Sequence, residues 1–131
     1  MNNFDQTVIE TAISQVIRSL GVSTHVFNNR PRSSDKDLKD FVVCNVMGSI
    51  KDYGAFGMCT VAVHLFAQDM SNMKNGKKLS VMQKKLKEGF SGNIGDLVLD
   101  FKVVEPVGDT SDGNGYHIRI IQLKKVIIKI V

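Results

Sequence analysis

Apolar side chains recur at helical spacing near the start of the chain, from Phe4 to Leu20. The polar residues on the opposite side of such a helix are Gln6, Glu10, Ser14, Gln15, Arg18 and Ser19. Asp5 can cap its start, as can Thr7 with Glu10 as a capping box, and Gly21 can end it. The pattern predicts an amphipathic first helix with one buried face.

Two segments rich in valine and aromatic residues follow, at Phe41–Ile50 and Met58–Ala67. Aspartate and glycine residues between them supply turn chemistry, so the two segments predict a hairpin. Residues 22–28 predict a short strand before it. Residues 29–40 and 68–77 are polar and charged, which is typical of exposed loops.

A second, narrower apolar stripe consists of Leu79, Met82, Leu86 and Phe90, with lysines around it. This spacing predicts a helix that buries only a thin face. Residues 91–96 include two glycines and predict a connector after the helix.

The last part of the chain has the alternation of strands. Residues 97–104 alternate in a way that predicts a half-buried strand, and residues 106–115 are rich in glycine and aspartate, as in a turn. Residues 116–131 predict one unusually long strand. Its alternation shifts phase near Ile121–Leu123, which indicates a bulge or bend.

The order of these elements predicts an α+β fold with two helices packed on a mostly antiparallel sheet. A length of 131 residues is typical of one domain, so we expect a single domain over residues 1–131. The apolar fraction of 43% and the charged fraction of 23% are ordinary for a globular protein. The net charge of +4 is uneven, because residues 71–90 carry six lysines against Glu88.

The lysines of the second helix form a candidate basic face, represented by Lys77, Lys78, Lys84 and Lys85. Lysines can bind phosphates by releasing counterions, which would suit nucleic acid or another acidic partner. The segment lacks the arginines and interleaved aromatic residues that read or stack bases. A solvated helix face is the competing interpretation, and a nucleic-acid-binding accessory protein is the alternative function.

The N-terminal residues lack the basic and apolar regions of a signal peptide, and no apolar run approaches the ~18 residues that span a bilayer. With two cysteines and no such signal, we expect reduced thiols in a cytoplasmic protein. Cys44 and Cys59 would face each other if the hairpin turn centred near Lys51–Asp52. A turn nearer Gly54 would separate them.

Catalytic and metal-binding patterns are weak in this sequence. His25, His64 and His117 fall in separate strand-like segments with no carboxylate or thiol at metal-ligand spacing. The aspartates of residues 35–40 are interrupted by lysines on a predicted loop, where metal ions would not be held rigidly. No nucleophile stands on a glycine-rich elbow. We therefore predict no catalytic, cofactor or metal site, and a protein that is not an enzyme.

The terminal run VIIKIV, residues 126–131, is strongly β-prone and carries one lysine. As a bare sheet edge it would promote aggregation. Two arrangements would cover it: pairing within the domain's own sheet, or pairing with another chain. Both remain open from the sequence, and one long bent strand could do both.

The order of an amphipathic helix, a hairpin such as Phe41–Ala67, a polar loop, a second helix and a closing hairpin resembles phage tail terminator and tail-completion proteins. Related head–tail joining proteins share this layout. The resemblance covers nearly the whole chain and is architectural rather than based on a residue motif.

The resemblance implies a ring, usually a hexamer, at the head-proximal end of a tail, assembled in the bacterial cytoplasm and carried in the virion. Loops 29–40 and 68–77 would contact neighbouring subunits or other tail or connector proteins. The predicted oligomer contacts are Arg30, Arg32 and Lys36 for polar interactions, and Val126, Ile128 and Ile130 for apolar strand pairing. A ring needs a head-to-tail interface whose rotation closes.

Overall fold

The computed structural model describes residues 4–29 and 38–130. Within these two stretches the chain forms two helices and seven strands. The helices are α1 (Gln6–Ser19) and α2 (Gly76–Leu86). The strands are β1 (Val26–Phe27), β2 (Asp40–Asp52), β3 (Gly57–Gln68), β4 (Phe90–Ile94), β5 (Leu97–Phe101), β6 (Val103–Ser111) and β7 (Tyr116–Ile130). The predicted α+β class and the mostly antiparallel sheet are confirmed.

The sheet has the strand order β1-β2-β3-β7-β5-β4, with β6 also paired to β7. β1 runs parallel to β2, and the other pairings among the described residues are antiparallel. β7 pairs with β3 along one side, from Tyr116 opposite Gln68 to Ile128 opposite Gly57. Along its other side β7 pairs first with β6 and then with β5. β7 therefore has a partner strand on both sides over most of its length, from His117 to Leu123 and again at Ile127 and Ile128.

Both helices pack on the same face of this sheet, where the main core lies. α1 contributes Ile9, Ile13, Val16 and Ile17, and α2 contributes Leu79, Met82 and Leu86. The facing strand residues include Val42, Val61, Val63, Leu65, Leu99, Phe101, Ile121, Leu123, Val126 and Ile128. Fully burying a large apolar side chain contributes about 1.5–3 kcal/mol, so this face holds the helices on the sheet. Neither α1 nor α2 has the length and apolar character needed to cross a lipid bilayer.

The helix ends follow from local chemistry. The Asp5 carboxylate accepts a hydrogen bond from the Val8 amide at 3.1 Å, so Asp5 rather than Thr7 caps α1. Gly21 follows the helix with a φ of 78°, the left-handed conformation that suits a helix end. The Asn75 side chain caps α2 in the same way, through the Lys78 amide at 3.2 Å.

Three predicted boundaries were wrong. Phe90 is not the last residue of the second helical stripe, because Gly89 takes a φ of 71° after α2 and Phe90 begins β4. The predicted connector 91–96 is mostly strand, since β4 folds back antiparallel on β5. The predicted turn 106–115 is also mostly strand, because β6 continues to Ser111 along β7.

Bulges interrupt the long strands at one level of the sheet. The predicted β2–β3 hairpin is confirmed, but its register shifts between Met47 and Lys51. On the neighbouring strand the register of β7 against β3 shifts opposite the segment between Cys59 and Val61. Lys125 takes a φ of 57° there, which places the predicted irregularity of β7 a few residues beyond Ile121–Leu123.

Gly89 provides a test of the α2–β4 junction. A Cβ at this position would lie 2.8 Å from the Phe101 carbonyl oxygen, and its φ is left-handed. We expect Gly89→Ala to lower the free energy of unfolding by about 2–4 kcal/mol, because backbone contact adds to conformational strain. Gly95→Ala is the matched control, since Gly95 has a φ of 57° but open space around it, and it should cost about 1 kcal/mol. Urea unfolding measures both; equal losses would contradict the role of the Phe101 contact.

Candidate interaction surfaces

The face of the sheet opposite the helices carries an unusual number of apolar side chains. Strand register places Ile118 and Ile120 of β7 on this face, opposite Phe66 and His64 of β3. We call this surface the open sheet face; its residues are Met47, Ala62, His64, Ile118, Ile120 and Ile127. The three isoleucines are half-buried and Met47 is exposed. A sheet face in contact with water usually alternates to polar residues, so this composition is typical of a contact surface.

An aromatic cluster closes one end of this face. The rings of Phe41 and Phe66 stack with 4.2 Å between their centroids, and Tyr116 meets Phe41 edge-on. The Tyr116 hydroxyl donates a hydrogen bond to the Leu38 carbonyl at 2.5 Å. These contacts hold the side chains at this end of the open sheet face in place. Farther along β7, Ile120 lies opposite Gly108 of β6, which has no side chain to cover it.

A second apolar surface lies on the helix side of the sheet. It is a groove of about 560 Å³ between the outer side of α1 and the β4–β5 turn. We call it the α1 groove; its apolar lining is Phe4, Val8, Ile9, Ala12, Ile94, Leu97 and Ile130. Val8 is 52% exposed and Ile130 is 54% exposed, so both present apolar surface to water.

The predicted strand-pairing residues divide between the core and this groove. Val126 and Ile128 are fully buried in the main core, and their strand is paired on both sides. The prediction that they supply an uncovered strand-pairing face is therefore wrong, because the chain's own β3 and β5 occupy both edges of β7. Ile130 remains exposed at the α1 groove. The predicted polar contacts Arg30, Arg32 and Lys36 lie outside the described residues.

Beyond the short pairing with β1, the outer margin of β2 is closed by side chains. The Glu10 carboxylate accepts a hydrogen bond from the Val46 amide at 2.7 Å. The Asn28 amide donates to the Cys44 carbonyl at 3.1 Å and to the Ser14 hydroxyl at 2.9 Å. Glu10 and Ser14 were expected on the solvent side of α1, but they face this strand margin, because α1 packs over β1 and β2 at this end of the sheet. The bonds from Glu10 and Asn28 satisfy backbone groups of β2 that could otherwise pair with another chain.

The packing of α2 engages part of its predicted basic face. Lys77, Lys84 and Lys85 are exposed. Lys78 is half-buried and forms an ion pair with Asp40 at 3.1 Å. The Lys85 ammonium lies next to Gly21, at the C-terminal end of α1, where the helix dipole favours a cation. Of the four lysines, Lys78 is therefore engaged with another element through an ion pair, and the other three are exposed.

Arg119, which the sequence analysis did not identify as a candidate residue, connects the other side of α2 to β6 and β7. Arg119 on β7 forms a bidentate pair with Asp109 on β6, at 2.8 and 2.9 Å. The same guanidinium donates to Ser80 and Gln83 of α2, both at 3.1 Å. Asp109 lies directly opposite Arg119 on the adjacent strand. This opposite-charge pair could have been recognised in the sequence only if β6 had been predicted as a strand.

The three histidines lie apart from one another. His64 is on the open sheet face, where burial lowers its pKa, and His117 is on the helix side, 2.7 Å from the Asp69 carboxylate. His25 precedes β1, and its carbonyl accepts from Val42. Within residues 4–29 and 38–130, no three histidine, cysteine, aspartate or glutamate side chains lie close enough together to hold a metal ion.

The two cysteines are both buried and free. The hairpin turn follows Asp52, which places Cys44 opposite Val63 rather than Cys59. Four positions along a strand correspond to about 13 Å, so the thiols are too far apart for a disulfide. Burial raises the pKa of each thiol to about 11.

Comparison of the chain with models of known protein families finds no match, and a search of curated proteins finds none.

Replacement of Glu10 tests how the β2 margin is closed. Glu10→Ala removes the acceptor for the Val46 amide, and we expect a loss of about 1–3 kcal/mol in unfolding free energy. Hydrogen exchange at Val46 should accelerate before exchange elsewhere in β2. Gln15→Ala, at an exposed position of the same helix, should leave both measurements unchanged. Unaltered exchange at Val46 in Glu10→Ala would show that the carboxylate does not protect the margin.

The Asp109–Arg119 pair predicts a pH dependence. The Arg119 guanidinium, helped by Lys74, holds the pKa of Asp109 at about 2, below the ordinary 3.8. A lowered folded-state pKa means that the stabilisation is present above pH 4 and is lost as the pH falls towards 2. Asp109→Asn should lower stability at pH 7 by about 1–2 kcal/mol and flatten the pH dependence in that window. Asp96→Asn, at an exposed turn, should retain the wild-type pH profile.

Proposed function

We propose that this chain is a non-enzymatic structural subunit of the phage tail terminator or tail-completion type. It self-associates into a ring at the head-proximal end of the tail, is assembled in the bacterial cytoplasm and is carried in the virion. The order of elements supports this assignment, and one observation carries the self-association: the chain has two separate apolar surfaces on opposite sides of its sheet. These are the open sheet face and the α1 groove.

Two different surfaces on opposite sides suit a head-to-tail contact. In such an interface the open sheet face of one copy packs on the α1 groove of the next, so every copy uses both surfaces. Repetition closes a ring when the rotation at each contact divides a full turn. A face-to-face dimer would bury the open sheet face alone and leave Val8 and Ile130 exposed, whereas the head-to-tail contact covers both surfaces.

In this arrangement the end of β7 contributes to the interface differently from the strand pairing predicted from the sequence. Val126 and Ile128 support the interface from within the core, while Ile130 contacts the neighbouring copy through the groove. Arg30, Arg32 and Lys36 stay predicted as polar contacts at its rim. Because β7 is interior, removing residues 126–131 would disrupt the sheet itself, so surface substitutions are the appropriate probes.

Complementary substitutions distinguish the head-to-tail contact from other modes. Ile120→Lys places a charge on the open sheet face, and Val8→Glu places one in the α1 groove. Each should weaken association about 100-fold or more in analytical ultracentrifugation, because an unpaired charge is costly to bury. Mixed together, the two variants should form a 1:1 heterodimer through the one intact pair of surfaces.

Val81→Lys is the control, since Val81 is 45% exposed on α2 and belongs to neither surface. It should associate as the wild type does. A face-to-face dimer would instead leave Val8→Glu able to dimerise and would give no heterodimer in the mixture. A wild-type chain that stays monomeric at millimolar concentration would contradict the proposal altogether.

The alternative of a nucleic-acid-binding accessory protein is favoured by the exposure of Lys77 and Lys84 on α2. Lys85 is exposed as well, whereas Lys78 contributes less because it already pairs with Asp40. Binding through this helix would weaken steeply with salt and would be lost in a Lys77→Gln, Lys84→Gln double variant. Unchanged affinity in that variant would exclude the helix.

A further inference from the structure

The bulges of β2 and β7 create a basic cavity beside the open sheet face. Its volume is about 430 Å³, within the range of roughly 300–1,000 Å³ found for small-ligand sites. We call it the bulge pocket; its lining residues are Met47, Ser49, Lys51, Met58, Cys59, Thr60, Lys124 and Lys125. Three lysines and two hydroxyl groups therefore surround one concavity.

The backbone geometry explains why these side chains converge. Consecutive residues of a regular strand point to opposite faces of the sheet. Lys124 and Lys125 nevertheless line the same cavity, because the bulge of β7 places Lys125 at a φ of 57° and redirects its side chain. A left-handed lysine is uncommon within a strand, and such conformations concentrate at functional positions. The adjacent bulge of β2 brings Lys51 and Ser49 to the other side of the cavity.

The polar groups of the pocket are largely free to bind a ligand. Among the described residues, Lys51 and Lys125 form no ion pair, and the hydroxyls of Ser49 and Thr60 form no hydrogen bond. Lys124 pairs with Glu105 at 2.9 Å, with both side chains about half exposed. Exposed pairs of this kind are weak, so Lys124 can exchange its partner.

The donor set indicates the chemistry of the ligand. Three ammonium groups and two hydroxyls offer more charge and more donors than one carboxylate can use. A phosphate group supplies a second negative charge and additional acceptor oxygens, and lysine and hydroxyl groups bind it through charge-assisted hydrogen bonds. Met47 and Met58 give the pocket an apolar wall, which suits an organic substituent on the phosphate.

We infer that the bulge pocket binds a phosphate group, carried by a small phosphate ester or by the backbone of single-stranded nucleic acid. The inference stands on the geometry of the pocket and does not depend on the proposed ring. It also differs from binding through α2, since none of the α2 lysines lines the pocket.

Nuclear magnetic resonance titration of the wild-type chain tests the inference. Inorganic phosphate, phenyl phosphate and a ten-residue oligothymidylate are added at constant ionic strength, which removes general screening effects. We expect saturable shifts confined to the amides of residues 49–51, 58–60 and 124–125. Tighter binding of phenyl phosphate than of the oligonucleotide identifies a small ester as the source. The reverse order, with steep salt dependence, identifies nucleic acid.

Lys125→Asn and Lys51→Gln are the diagnostic variants. Asparagine tolerates the left-handed conformation, so Lys125→Asn removes the ammonium and keeps the bulge. Each variant should raise the Kd about tenfold, as expected for a lost charge-assisted hydrogen bond. Lys129→Gln removes the same charge from an exposed position of β7 outside the pocket and should change the Kd less than twofold.

Three results would overturn the inference. They are no saturable shifts with any of the three probes, shifts located mainly on α2, and an equal loss of affinity in Lys129→Gln and Lys125→Asn. Thermal unfolding of each variant establishes that a loss of binding is not a loss of fold.

Discussion

The interior position of β7 is the constraint on which the rest of the fold depends. Its backbone is hydrogen-bonded to β3 on one side and to β6 and β5 on the other. Its inward side chains, among them Ile121, Leu123 and Ile128, meet the residues of α1, α2 and β5 in one core. Val126 and Ile128 are thereby enclosed, whereas Ile130 stays exposed, so contacts with other molecules fall to the surfaces of the sheet rather than to an open edge at residues 126–128.

The sequence predicts an element correctly when the spacing of apolar residues within that one segment is enough to define it. The apolar stripe of α1 and the valine-rich β2–β3 hairpin were confirmed because each segment carries its own period. β6 could not be predicted in the same way, since Pro106 and Gly108 are turn-forming residues in isolation. They nevertheless lie in a strand, because β6 pairs with β7 on the side of β7 that β3 does not occupy. Tertiary pairing overrode local propensity there.

The candidate surfaces were harder to predict than the fold, for a related reason. β7 is apolar on both faces, so alternation alone could not tell which isoleucines would meet the helices and which would lie on the open sheet face. Helix placement decides this: Ile121 faces the helices, whereas Ile120 does not. Likewise, Glu10 belonged to the polar side of α1 in the sequence, and only the position of α1 beside β2 turned that side towards backbone groups.

The burial of the two thiols has a consequence for their reactivity. Only the thiolate attacks alkylating reagents or disulfides, and a pKa of about 11 leaves very little thiolate near neutral pH. Cys44 also lies against α1, with its sulfur 3.4 Å from the Ser14 hydroxyl, whereas Cys59 lines the bulge pocket. Modification of Cys44 therefore requires α1 to separate from the strands, and its rate of alkylation measures that opening.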